Sequence, residues 1–156
     1  MICTPCTGSL RASTAFAGSP RITSPDQPRA TSGRPRLHGS VLVVDDDADI
    51  RAMTSAVLCS AGATVHGAAS PAEALAFLGN QEFDAVILDW NLGIETAGIV
   101  LERMRDAFPG LLQRSAVVTG DLMSIPGLHE AERFGCPVLA KPFRPRQLLE
   151  TVARIL

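Results

Sequence analysis

The chain's 156 residues suit one domain of ordinary size plus an extension, and an apolar content of 46% allows a real hydrophobic core. No run approaches the roughly 18 uninterrupted apolar residues of a membrane span, so none is expected. Residues 1–39 carry five Arg against the single Asp26, a net of +4, while the rest carries nine basic and fifteen acidic side chains, a net of −6; an acidic body argues against a nucleic-acid surface on the domain.

The first 39 residues are about half Ser, Thr, Pro and Gly and hold few aliphatic side chains. Such a segment cannot bury enough surface to offset its ordering entropy, and it reads as a disordered tail or linker. It shares the Arg- and Ser-rich, acid-poor look of a transit peptide, but its five prolines oppose the amphipathic helix such a peptide needs. A linker from a longer parent or an early start codon explains it more simply. Cys3 and Cys6 form a C-x-x-C, yet no second pair stands at metal-ligand spacing. With Cys59 and Cys136 placed as small buried thiols, this usage fits a reducing cytosol, and a cytoplasmic location is expected.

At Ser40 the character changes. Short apolar runs begin to alternate with helix-period segments. The runs are Val41–Val44, a weaker Thr64–Gly67, Ala85–Leu88, Ser115–Val118 and Val138–Ala140. The main ones are continuous and aliphatic, as in strands buried on both faces. Between them, Ile50, Met53, Val57, Leu58 and Ala61 share one helical face, with Gly62 as a stop. Ser70-Pro71-Ala72-Glu73 reads as a capping box opening a short helix through Leu78. Ala97, Val100, Leu101, Met104 and Phe108 mark a third helix, ended by Pro109-Gly110. A fourth over residues 122–134 is interrupted by Pro126 and Gly127. Pro145 opens the last, with Leu148, Leu149, Val152 and Ile155 on its apolar face. That helix reaches the end of the chain, so no output domain is expected after it. Five strand–helix units over residues 40–156 imply an α/β fold with a parallel sheet covered by helices on both faces.

In such a sheet, function sits just past the C-terminal strand ends, near the place where strand order reverses. Asp45, Asp46 and Asp47 follow the first run, Asp89 the third, Thr119 the fourth and Lys141 the last. If the first and third strands are neighbours, Asp45, Asp46 and Asp89 converge. Carboxylates so gathered repel one another and call for a hard divalent cation such as Mg2+. Lys141 adds a compact positive charge, Thr119 a hydroxyl donor, and Asp47 reads as a helix cap. A carboxylate nucleophile, a metal clamp, a cation and a hydroxyl donor together suit acceptance of a phosphoryl group. Each residue alone has an ordinary structural explanation; their arrival in order on four strand ends is what points to chemistry.

The stretches VLVVDDD (41–47), ILDWNLG (87–93), VVTGD (117–121) and VLAKPF (138–143) resemble the receiver domain of bacterial two-component response regulators. The resemblance covers about residues 40–156 and implies a flavodoxin-like (βα)5 doubly wound parallel five-stranded sheet of order 2-1-3-4-5. It implies that Asp89 is the phosphoacceptor, fed by a histidine kinase or histidine phosphotransfer domain. It further implies that Mg2+ is held by Asp46, Asp89 and the backbone carbonyl of Asn91, with Asp45 acting largely through water. Thr119 and Lys141 would hold the phosphoryl oxygens and report their presence, and Asn91 and Asp121 would tune the adduct's lifetime. Output would run through binding of an unknown downstream protein; a homodimer is left open, as is origin as the receiver of a hybrid kinase. Such a domain is not an enzyme in the ordinary sense, although it promotes its own phosphorylation and dephosphorylation.

The sequence departs from the family pattern at three positions. Val138 stands where an aromatic switch residue is frequent, Gly93 where proline is frequent, and Ala97 where many members have Gly. Two other functions compete. A haloacid dehalogenase-type phosphatase also uses a strand-end Asp, Mg2+ and Lys, but it needs a second acid two residues after the nucleophile. Here that residue is Asn91, which cannot cycle a proton at neutral pH. A pseudo-receiver, which binds partners without taking phosphate, predicts loss of a site residue, and none is lost. A flavin-binding relative would need Ser, Thr and Gly rather than carboxylates after the first strand.

Overall fold

The computed structural model describes residues 35–120, 129 and 131–156. The expectations for residues 1–34, including the C-x-x-C, and for most of the interrupted 122–134 helix lie outside the described residues, as does the assignment of Asp121.

The aliphatic runs form strands: β1 Ser40–Val44, β2 Thr64–Ala68 and β3 Ala85–Asp89. After a small antiparallel pair, β4 Asn91–Leu92 and β5 Glu95–Thr96, come β6 Ser115–Thr119 and β7 Val138–Ala140. The main sheet is parallel with order β2-β1-β3-β6-β7, which is the expected 2-1-3-4-5 once the small hairpin is set aside. Its helices are α1 Ala48–Ser60, α2 Pro71–Asn80, α3 Gly98–Ala107, α4 Pro109–Leu112 and α5 Pro145–Ile155.

The central strands are buried on both faces, and their period of two divides the core. Leu42, Val44, Val86, Leu88 and Val117 pack with α2, α3 and α4 residues such as Leu78, Leu101 and Leu112. The alternate residues Val41, Val43, Ile87, Ala116 and Val118 pack with Leu58 of α1 and with Leu148 and Val152 of α5. The alternation that makes a strand amphipathic in a one-sided sheet here supplies two apolar cores.

Several local expectations change. Met53 is exposed, and α1 buries Thr54 and Leu58 instead, because the helix lies on the sheet along a narrower stripe than its apolar residues suggest. Pro109-Gly110 ends α3 but does not end helical structure. Proline's missing N–H is harmless at a first helical position, and a short α4 begins there, burying Leu111 and Leu112. In the box at α2, Ser70 accepts the Glu73 N–H at 3.2 Å, while Glu73 reaches back one residue further than usual, to the Ala69 N–H at 2.8 Å. Leu37, which composition assigns to the tail, is 2% exposed; it packs on the α1/α5 side, and its N–H donates to the Ala61 carbonyl.

Candidate phosphoacceptor site

Because β1 and β3 are neighbours, the acids that end or follow them converge. Asp45, Asp46 and Asp89 each present a carboxylate oxygen within 4.8 Å of the others. Asp45 and Asp89 are buried and Asp46 is exposed, so the cluster is walled at its base and open on one side. Asp89 closes β3 itself, in register with Val118 of β6. Its neighbour Trp90 turns into the α2/α3 core, and the Trp90 N–H donates to the Val118 carbonyl at 2.8 Å, extending the ladder by one residue. A carboxylate set between two parallel strands and braced by a buried indole has little freedom to wander.

Lys141 reaches this cluster from the end of β7. Its ammonium donates to Asp45 Oδ2 at 2.9 Å and to Asp89 Oδ2 at 2.8 Å. Its own N–H donates to the Thr119 carbonyl at 2.7 Å, which ties it to the end of β6, and the Lys141–Pro142 peptide is cis. Burial pushes the Asp89 carboxyl above its ordinary 3.8; the Lys141 hydrogen bond and charge oppose this, the Asp45 charge adds to it, and an Asn91 main-chain hydrogen bond opposes it. Burial works against the Lys141 ammonium, but its hydrogen bonds and charge contacts with Asp89 and Asp45 outweigh that and hold it above 10.5.

Thr119, the last residue of β6, is buried, while Gly120 beside it is exposed, with no atom of the described residues within 4 Å of where a side chain would begin. Asn91 is exposed and pairs with Thr96 in the β4–β5 hairpin. Gly93 at its turn has φ of +69°, a conformation closed to proline, so the glycine at this place marks a different loop shape. Asp47 caps α1, accepting the N–H groups of Asp49 and Ile50.

One neighbour was not foreseen. The Arg51 guanidinium donates to the main-chain carbonyl of Asp45 at 2.6 Å. Its position six residues after Asp45, within the first turn and a half of the following helix, is the only sequence signal that could have suggested it.

The donor set fits a hard divalent cation. Three carboxylates gather oxygen ligands of the type Mg2+ prefers, and no nitrogen or sulfur donor is among them. Both carboxylate oxygens of Asp45 already accept hydrogen bonds, from Lys141 and from the Asp47 N–H, which suits an indirect part for that residue.

Comparison with known proteins agrees with this architecture. The family model described as the response regulator receiver domain matches residues 41–153, and the chain belongs to that family. The chain is 30% identical over 118 residues to the DNA-binding transcriptional regulator NtrC of Bradyrhizobium sp. (strain RP501 Parasponia). That match takes in 76% of this chain but only 24% of the relative, about a quarter of its length. Among solved structures, a CheY-like response regulator receiver domain protein from Methanospirillum hungatei JF-1 superposes with a TM-score of 0.69 at 29% identity, covering 76% of this chain and 93% of that one. The chemotaxis protein CheY4 of Vibrio cholerae gives 0.68 at 33% identity, covering 77% of this chain and all of that one.

Proposed function

We propose that this receiver domain works in a two-component phosphorelay, taking a phosphoryl group on Asp89 from the phosphohistidine of a histidine kinase or histidine phosphotransfer domain. The observation that carries the reading is the placement of the Lys141 ammonium within 2.9 Å of both Asp45 and Asp89, inside a group of three carboxylates. An acid cluster assembled from separate strand ends and only partly neutralised is costly to build, and costly arrangements of this kind concentrate at functional sites.

In the transfer, an oxygen of Asp89 attacks phosphorus. A P–O bond forms as the P–N bond of the phosphohistidine breaks, and the electron pair leaves with the imidazole. Asp46, Asp89 and the backbone carbonyl of Asn91 would hold Mg2+, with Asp45 acting through water; the ion supplies positive charge to the phosphoryl oxygens. Lys141 exchanges a carboxylate contact for a phosphoryl oxygen, and Thr119 donates its hydroxyl to another. Asn91 and Asp121 orient the water that later removes the group. Output passes to a downstream protein by binding rather than by catalysis on a further substrate. No helix among the described residues is long and apolar enough to cross a membrane, and we place the domain in the cytoplasm.

Incubation with Mg2+ and acetyl phosphate, followed by intact mass, tests the reading. We expect a gain of one phosphoryl group that hydroxylamine removes and that Asp89→Ala lacks. The adduct should decay at a different rate in an Asn91→Ala, Asp121→Ala double variant; equal rates would discard the part given to those two residues. No gain with any phosphodonor would favour the pseudo-receiver.

A further inference from the structure

Arg51 lies outside the acidic cluster yet touches its frame. Asp45 is held at every polar group it has. Its N–H donates to the Ala68 carbonyl at 3.1 Å, as the last rung between β1 and β2. Its Oδ1 accepts the Asp47 N–H and its Oδ2 accepts Lys141. Its main-chain carbonyl has no next rung, because β2 ends at Ala68 and the chain turns into the cap of α2. The Arg51 guanidinium supplies the missing donor, at 2.6 Å.

Two further observations bear on this contact. Among the described residues no carboxylate pairs with the guanidinium, although Arg51 is half-buried beside an acidic site. Its charge is therefore committed to a backbone carbonyl, a bond stronger than one between neutral groups. The stem of Arg51 also lies against Gly67 of β2, where a side chain would begin 3.3 Å from Arg51 Cδ. The glycine leaves a channel on the edge strand through which the arginine reaches the end of β1.

We infer that Arg51 is a positioning residue of the phosphoacceptor site: through the Asp45 carbonyl it fixes the peptide from which Asp45 and Asp46 project, and so sets the geometry presented to the cation. This rests on the metal-assisted reading above. The alternative is a purely electrostatic neighbour, and the two differ in sign. A nearby positive charge repels Mg2+, so removing it should tighten binding. A lost tether loosens the carboxylates, so removing it should weaken binding.

Arg51→Met keeps the stem over Gly67 and removes both charge and donor; Arg51→Lys keeps a charged donor. Mg2+ alone is titrated against the fluorescence of Trp90, the single tryptophan, which adjoins Asp89. We expect Arg51→Met to bind Mg2+ roughly tenfold more weakly, the usual scale for an outer partner of a metal ligand, with Arg51→Lys between it and wild type. Unchanged or tighter binding in Arg51→Met overturns the positioning role. A second measurement needs no metal. Exchange of the Asp47 N–H, which donates to Asp45, should quicken in metal-free Arg51→Met; an unchanged rate also overturns the inference. Absence of any Mg2+ response in wild type would count against the metal site, and the exchange measurement would then decide the part played by Arg51.

Discussion

Strand β3 has an aspartate at each end, each facing a cation, and the two pairs behave as different chemistry. Asp84, just before the strand, lies 4.0 Å from Arg114, with side chains 52% and 44% exposed. Asp89, at its last residue, lies 2.8 Å from Lys141, with side chains 9% and 17% exposed. Asp84 also accepts the Ser40 N–H, so its task is to hold the entrance of β1. Water screens that pair, and its worth is small. Asp89 shares its lysine with Asp45 in a site that strips most of the water away. Residue type is the same at both ends; burial and the number of strand ends that converge separate a surface fastening from a member of the buried acidic cluster.

The comparison yields predictions of descending size. Lys141→Met leaves two buried carboxylates without their cation and should lower stability by about 3 kcal/mol in urea unfolding near neutral pH. The loss should shrink in acid as those carboxylates take protons; a variant as stable as wild type would break the contrast between the ends. The next test is titration of the metal-free protein. Because the Asp89 carboxyl is raised in the folded state, its ionisation withdraws stability as pH climbs from 3.8 through the higher folded value. The Lys141 contribution is present below 10.5 and is lost as pH rises through its own raised value. Carboxyl NMR should place the Asp89 midpoint above 3.8, and a midpoint at or below that would mean that Lys141, not burial, governs it. The smallest effect belongs to the exposed end: Arg114→Ala should change stability by no more than about 1 kcal/mol and leave phosphoryl uptake unaltered.

The strands and most of the candidate site were legible because they depend on what local sequence encodes well, whereas the strand order came only with the family resemblance. Aliphatic runs of strand length betray buried parallel strands, and the residue after each run is the residue at the functional edge. Asp45, Asp46, Asp89, Thr119 and Lys141 were named from that rule, and the structure brings the three acids and Lys141 together. What was missed depends on how elements meet. Met53 satisfies a helical period yet faces outward, since the period does not reveal which part of a wide stripe the sheet covers. Leu37 is one apolar residue in a polar stretch, and only its fit beside α1 and α5 gives it a place in the core. Arg51 acts on a backbone carbonyl, a partner that no pattern of side chains announces.

The Lys141 contacts have a consequence for how the chain becomes competent. Lys141 and Asp45 lie 96 residues apart in sequence, and Lys141 and Asp89 lie 52 apart. Contacts so distant cannot form by local collapse; they wait on closure of long loops and belong to the slow part of assembly. A nascent chain, or one cut before β7, would carry its Asp45 and Asp89 carboxylates without the cation beside them. On the function proposed above, the lysine contact ties the ability to accept a signal to possession of the finished fold, and an incomplete molecule would be silent rather than misleading.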